Sequence, residues 1–478
     1  MRKLISQAKN FNFMPLILLT IFCFAILIRC IFYSYNRPFW NDECALALNL
    51  NTWNFFEPLE YNQAAPPFFM FLSKIMGTIF PFNELVLRVI PLTCSIVSIF
   101  IFYFISIKFS DKKITIIISN LLFAFCYPLC YYAQEFKQYS SDVLCFLLIV
   151  ASYYFLDRIN TLSKKLLYGV ILSILIWFSF SSLFALFGIF TVILLFNRKQ
   201  LKDFAPSATL IIINILIFYC YSHSLRTQEV LHNYWIDGFI NNINSFITLL
   251  FSNTIYVFNS IFALLLILAS IIYVNFKDKN FKSIHLMLSP LFLTIFLSCL
   301  KVYPFHTRTV LFLVPVLILL SSKIFDYINI KNQIINYLVI FLLSTILIFP
   351  MAKSSIFNIL QKEYLSEDII TPLKTASSLA KAGDIIYISF GNELLFKYYK
   401  NTINTKASIK IETTNIEDES EYVHNLEKLP KNKTYYWIMA HYKNKYTRVK
   451  NVYNWAKNQK DFRGYADKKR NVLFIFSL

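Results

Sequence analysis

The sequence predicts an α-helical polytopic membrane protein with a C-terminal outer soluble α/β domain, and three observations lead there. Of 478 residues, 57% are hydrophobic and only 15% charged, with a mean hydropathy of +0.52; a soluble globular chain carries roughly a quarter charged residues. Apolar runs recur between Met14 and Met351, and from Ala352 the composition turns polar and rich in lysine. A soluble cytosolic enzyme is thereby excluded. Fifty Phe and 30 Tyr against 7 Gly equally exclude disordered, collagenous and Gly-rich chains.

The first run, Met14–Tyr35, follows the basic residues Arg2, Lys3 and Lys9. It is too long for a signal-peptide core and has no small-residue cleavage site, so it reads as a retained anchor with a cytoplasmic N-terminus. Further spans fall at 85–107, 114–132, 140–157, 166–178, 183–196, 204–222, 254–274, 284–300, 309–322 and 334–351, with a tight hairpin around Ser179–Ser182. Alternate threading puts Lys108, Lys112, Lys113, Arg158, Lys164, Lys165, Arg198, Lys199, Lys202, Lys277, Lys279, Lys282, Lys323 and Lys331 on one side. The other side receives only Arg37, Lys74, Lys137, Arg226, Lys301 and Arg308. That asymmetry is the positive-inside pattern and implies about eleven transmembrane helices, N-terminus inside and C-terminus outside. The net charge of +19 therefore has a topological origin and does not point to nucleic acid.

Counting Pro66–Phe80 as a span would invert this charge pattern, so it reads as an interfacial helix on the outer surface. The first outer loop, 36–84, is long and partly apolar, with Trp40, Trp53, Phe55, Phe56 and Tyr61 suited to an interface. The expected organisation is a membrane domain over 1–351, including that loop, and an outer domain over 352–478. In the latter the pattern reads helix Thr371–Lys381, turn Ala382–Asp384, strand Ile385–Phe390 and helix Glu393–Lys400. Strand Tyr435–Met439, helix Arg448–Asn458 and strand Val472–Phe476 follow. Asn432-Lys433-Thr434 matches a glycosylation sequon, a pattern of low specificity. The nine cysteines, none after Cys299, read as small buried hydrophobes without disulfide or zinc spacing.

Acidic residues are scarce before Ala352, which makes their positions informative. Asp42 and Glu43 follow the first span, and Glu135 follows the third, which places all three at the outer face. Carboxylates near the bilayer are costly when unpaired and mark function by default; the competing reading is solvated helix ends, with Asp42 capping a short helix. Arg308, Lys301 and Lys137 lie on the same side, where a guanidinium and ammonium groups suit a phosphate. Snorkelling at helix ends is their alternative role. Arg88 needs nothing beyond an i,i+4 pair with Glu84.

Four segments in order carry a resemblance: Phe39-Trp40-Asn41-Asp42-Glu43, Gln63-Ala64-Ala65-Pro66-Pro67, Tyr132-Ala133-Gln134-Glu135-Phe136-Lys137-Gln138-Tyr139 and Tyr303-Pro304-Phe305-His306-Thr307-Arg308. Over about residues 14–351 the chain resembles the GT-C membrane glycosyltransferases of family 39. That family includes protein O-mannosyltransferases, the lipid A aminoarabinose transferase and lipopolysaccharide-core galacturonosyltransferases. Lys381-Ala382-Gly383-Asp384-Ile385-Ile386-Tyr387 and Tyr234-Trp235-Ile236-Asp237-Gly238-Phe239 also fit bacterial members. Many relatives have His before the Pro-Pro pair where this chain has Ala65, with Gln63 the nearest substitute.

The resemblance implies inverting transfer of a sugar from a polyprenyl-phosphate donor to an envelope lipid, glycan or protein, on the outer face of the bacterial cytoplasmic membrane. It implies Asp42 as base, with Glu43 and Glu135 orienting the acceptor or supporting the site. Arg308, with Lys137 and Lys301, would neutralise the donor phosphate. Gln63, Tyr139, His306, Tyr234 and Trp235 would shape the sugar site, with interfacial anchoring the favoured alternative for the last two. Asp42, Glu43 and Glu135 offer hard oxygen ligands to a divalent metal; the nearby cations argue instead for phosphate, so no metal or other cofactor is expected. The alternatives are an ion-coupled transporter or lipid flippase, whose sites lie nearer the membrane midplane, and an envelope assembly protein with an inert membrane part.

Overall fold

The computed structural model describes residues 13–54, 59–61, 63–222, 233–277, 281–361, 367–412, 419–440, 446–467 and 471–478. The basic N-terminal residues, Phe55–Phe56 and Arg226 lie outside these. In chain order the helices are α1 (Met14–Ser34), α2 (Asn41–Thr52), α3 (Pro67–Ile79), α4 (Glu84–Phe109), α5 (Lys113–Phe125), α6 (Tyr127–Tyr131), α7 (Tyr139–Tyr153) and α8 (Leu162–Phe178). They continue with α9 (Ser182–Phe196), α10 (Leu201–Tyr221), α11 (Ile243–Phe258), α12 (Phe262–Lys277), α13 (Phe281–Cys299), α14 (Val314–Lys323) and α15 (Gln333–Leu360). Two compact units result, one of Met1–Ser34 with Ala64–Ile359, the other of Tyr35–Gln63 with Leu360–Leu478. The loop expected as one piece over 36–84 is therefore divided: its first part packs with the C-terminal residues, its second with the helical unit.

In the helical unit, side chains set the helix starts. Asn83 accepts from the Val86 amide at 3.0 Å, and Asn242 and Ser245 cap α11 reciprocally. All eleven expected spans fall on helical segments. Among the described residues, five helices, α1, α4, α10 with its preceding turn, α13 and α15, are long and apolar enough to cross a membrane; the number is seven if two bent pairs each count as one. The bent pairs correct two expected spans. That over 114–132 breaks by 52° between α5 and α6, and that over 254–274 breaks by 106° between α11 and α12.

Pro128 explains the first break. Its missing N–H leaves the Ala124 carbonyl without a helical partner, and Cys130 Sγ covers that oxygen at 3.5 Å. Arg29, fully buried in α1, donates to the Phe123 carbonyl at 3.5 Å and to Ser95 Oγ at 2.8 Å. Ser355 donates to the Phe125 carbonyl at 2.6 Å. Buried backbone acceptors in an apolar setting need such donors. The second break follows Asn259, which ends α11 in the left-handed conformation.

The core is aromatic and aliphatic, with Phe102 and Phe123 stacked at 4.3 Å. Gly188 lets α9 approach α13: a Cβ there would lie 2.9 Å from the Leu286 carbonyl oxygen. The segment expected as interfacial forms the 13-residue α3, whose Phe69, Met70 and Ser73 are buried while Phe71, Ile75 and Ile79 are exposed. Cysteine burial needs correction. Cys23, Cys220 and Cys299 are exposed on apolar helices, and all nine cysteines are free.

The other unit contains α2, α16 (Ile370–Leu379), β1 (Ile385–Ile388), α17 (Glu393–Tyr399), β2 (Ser408–Ile411), α18 (Glu419–Glu427), β3 (Thr434–Met439), α19 (Tyr446–Ala456), β4 (Lys460–Asp467) and β5 (Asn471–Ser477). The sheet order is β2-β1-β3-β5-β4. The first three strands are parallel, Ile385 pairing with Ser408 and Tyr435; β5 is antiparallel to β3 and β4. Trp437 stacks on Phe474 at 5.5 Å in the core. Gly383 turns the chain into β1 at φ +96°, a conformation open to glycine. Every expected element of this unit is present; β2, α18 and β4 are additional.

Candidate functional site

Asp42 and Glu43 begin α2, where acidic side chains complement the helix dipole, yet the fold uses them differently. Glu43 is 0% exposed. Its Oε2 accepts from the Trp40 amide at 3.3 Å and pairs with Arg37 Nη1 at 3.4 Å. It is thus held by the helix start and by a buried guanidinium. Asp42, one residue earlier, is half-buried. Gln63 is half-buried at the end of the same stretch. The Phe39 amide donates to the Tyr399 hydroxyl at 2.7 Å, and the Asn41 amide to Glu367 Oε2 at 3.3 Å. Neither Tyr399 nor Glu367 is marked by local sequence.

In the helical unit, the chain leaves α6 through a 3-10 turn, Tyr132–Gln134. Glu135 is 1% and Lys137 4% exposed, and the Lys137 amide donates to the Glu135 carbonyl at 2.7 Å. Gln138 donates to the Ala64 carbonyl at 3.0 Å, beside buried Ala65. Tyr139 packs edge-on against Tyr132 at 4.8 Å, and Tyr256 donates to the Tyr132 hydroxyl at 3.3 Å. Among the described residues, Gln134 Nε2 and Gln138 Oε1 are buried without a hydrogen-bond partner. One turn into α7, buried Asp142 accepts from Ser179 Oγ at 2.5 Å, while Ser181 Oγ donates to the Asp142 carbonyl at 3.0 Å. Sequence reasoning passed over Asp142 inside an apolar run, although the Ser179–Ser182 hairpin that receives it was visible.

The third group is built on the Tyr303–Thr309 turn. The Tyr303 hydroxyl donates to the Thr309 carbonyl at 2.8 Å, and Thr309 Oγ1 donates to the Pro304 and His306 carbonyls at 2.8 Å. A second loop docks on it: the Phe305 amide donates to the Gly238 carbonyl at 2.8 Å. Gly238 permits the approach, because a Cβ would lie 3.1 Å from Pro304 Cβ and 3.2 Å from His306 Cβ. This docking brings Tyr234 and Trp235 to Arg308. The guanidinium carbon lies 4.6 Å from the Trp235 ring centroid and 5.4 Å from that of Tyr234. Arg308 Nη2 donates to the Tyr234 hydroxyl at 2.5 Å, and His306 faces Trp235 at 5.3 Å.

Arg308, Tyr234, Trp235 and His306 are therefore assembled, whereas Glu135, Lys137 and Tyr139 follow one another along the turn that leads into α7. Lys301 stands apart. It follows α13 in the left-handed conformation, exposed, and its side chain makes no hydrogen bond or ion pair among the described residues. No group of three or more His, Cys, Asp or Glu side chains with metal-holding geometry occurs among the described residues.

No family model and no curated protein matches the chain. Solved structures do. ArnT from Cupriavidus metallidurans bound to undecaprenyl phosphate aligns over 95% of this chain and 97% of that one, at 11% identity and a TM-score of 0.55. Its apo form aligns with a TM-score of 0.53 at 10% identity, over the same shares. Archaeal oligosaccharyltransferase AglB from Archaeoglobus fulgidus, in complex with an inhibitory peptide and a dolichol-phosphate, aligns over 96% of this chain and 74% of that one, at 12% identity and a TM-score of 0.51. The chain has the GT-C fold, a polytopic helical membrane architecture with a C-terminal sheet domain.

Proposed function

We propose that this protein is a membrane glycosyltransferase that moves a sugar from a polyprenyl-phosphate donor to an envelope lipid, glycan or protein, outside the bacterial cytoplasmic membrane. The observation that carries this reading is the Arg308 platform, a guanidinium packed against two aromatic rings and bonded to a hydroxyl. A guanidinium suits a phosphate, whose oxygens it can meet as a planar fork. The fold supports the same reading, since neighbours sharing it were solved with undecaprenyl phosphate and with a dolichol-phosphate.

In the proposed reaction the acceptor oxygen attacks the anomeric carbon and its proton passes to the Asp42 carboxylate. The bond from that carbon to the phosphate oxygen breaks, and the phosphate leaves with the electron pair, inverting the configuration. Its developing charge is stabilised by Arg308, with Lys137 as a second cation. Glu135 supports the site, and Gln63, Tyr139 and His306 contact the sugar or acceptor. No metal enters the scheme.

The test is turnover of a polyprenyl-phospho-sugar by purified protein in proteoliposomes without an ion gradient. Release of polyprenyl phosphate together with a glycosylated acceptor is expected. Gradient-dependent movement of lipid or solute without bond cleavage would replace this reading with the transporter.

A further inference from the structure

The helix carrying Asp42 is docked on the sheet unit through backbone amides that its own sequence leaves open. The first N–H groups of a helix have no partner within it, and α2 finds one for the Asn41 amide in Glu367 Oε2. The preceding Phe39 amide donates to Tyr399. Both acceptors are themselves fixed. Tyr399 ends α17, and α17 starts at Asn392, which is fully buried and accepts from the Ala440 amide at 2.9 Å beyond β3. Leu395, Phe396 and Tyr399 are buried beneath it, and the Phe39 ring packs on Tyr398 at 5.3 Å. Glu367 is buried and precedes Asp368, whose carboxylate accepts from the Ile370 and Thr371 amides at 2.9 and 3.1 Å and so caps α16.

We infer that the sheet unit serves as the mount of the proposed base, with Tyr399 and Glu367 as positioning residues that set the angle and height of the Asp42 carboxylate. A catalytic group misplaced by about 1 Å can cost on the order of a hundredfold in rate, so a helix start secured from outside is the place where such control acts. The inference rests on the assignment of Asp42 above.

The test uses the full chain, comparing wild type with Tyr399→Phe, Glu367→Ala and Glu367→Gln. Losing one hydrogen-bond acceptor corresponds to roughly a tenfold change in local opening. Amide exchange over Phe39–Ala45 should therefore rise about tenfold in Tyr399→Phe and Glu367→Ala, with exchange in the β-strands unchanged. Transfer should lose kcat by about tenfold or more, with KM for the lipid donor within about twofold. Glu367→Gln, which retains an acceptor oxygen, should restore both.

Unchanged exchange over Phe39–Ala45 in both damaged variants would overturn the inference, as would kcat losses that merely follow unfolding of the whole sheet. A wild-type chain that transfers no sugar would count against the proposed function, while the exchange measurement would still decide the docking.

Discussion

The guanidinium carbon of Arg308 sits 4.6 Å from the centroid of the Trp235 indole, although 73 positions separate the two in sequence. The contact exists because the Gly238 loop lies against the Tyr303–Thr309 turn, whose own hydroxyl bonds hold it closed. Tyr234 and Trp235 thus pack on the guanidinium of Arg308. They immobilise a long side chain that would otherwise lose rotamer freedom on binding an anion.

Arg308→Ala should therefore raise KM for the lipid-phosphate donor by about 10- to 100-fold, the worth of a charge-assisted hydrogen bond. Arg308→Lys should recover only part of this, because an ammonium lacks the planar fork. Trp235→Ala, which leaves the charge but removes its support, should raise KM by roughly three- to tenfold. Donor titration of initial rates checks all three, and donor dependence unchanged in Arg308→Ala would remove the phosphate assignment.

Asp42 and Glu43 should separate cleanly. Asp42→Asn should lower kcat by about 10²- to 10⁴-fold, the range for general-base catalysis, with expression and melting temperature unaltered. Glu43→Gln should act on stability, since it leaves Arg37 buried beside a neutral group, and should cost roughly 1–3 kcal/mol. Thermal unfolding alongside the transfer assay distinguishes them.

Gly238→Ala adds a methyl with 3.1–3.2 Å contacts to Pro304 and His306. Overpacking of this kind costs about 1–3 kcal/mol. The variant should weaken donor binding in the same direction as Trp235→Ala, because the loop that carries the indole must shift. A wild-type KM in this variant would show that the Arg308 platform tolerates the displacement.

Stability of the sheet unit should fall in alkali. Burial raises the Tyr387 and Tyr422 phenols above their ordinary value near 10, and the Glu412 charge raises them further; the Tyr422 hydroxyl donates to Glu412 Oε2 at 2.9 Å. The folded state then keeps protons that unfolded tyrosine gives up near pH 10, so the stabilisation is complete below pH 10 and declines above it. Chemical unfolding of the full chain, followed by Trp437 fluorescence, should show an earlier transition at pH 11 than at pH 8. Tyr387→Phe should narrow that difference.

The helical part of the fold was legible because apolar run length is a local property of the chain. The central strands β1, β3 and β5 were legible for the same reason, as short apolar runs. The two edge strands were not. Ser408–Ile411 is exposed at all four positions, and Lys460–Asp467 carries charges and a register irregularity; pairing with a neighbour makes them strands. The site behaves similarly. The difference between Asp42 and Glu43 depends on Arg37, and the hold on α2 depends on Tyr399 and Glu367.

The division of the sheet unit between two distant stretches also bears on how the protein is made. Phe39 is synthesised 360 residues before Tyr399, an interval of about 20–70 s at ordinary elongation rates. Throughout it, the segment with Leu46, Leu48 and Leu50, all destined for burial, waits for the surface that will cover it. A ribosome stalled before β1 would release a product whose first loop has no finished partner, making that loop the natural target for quality-control proteases and chaperones.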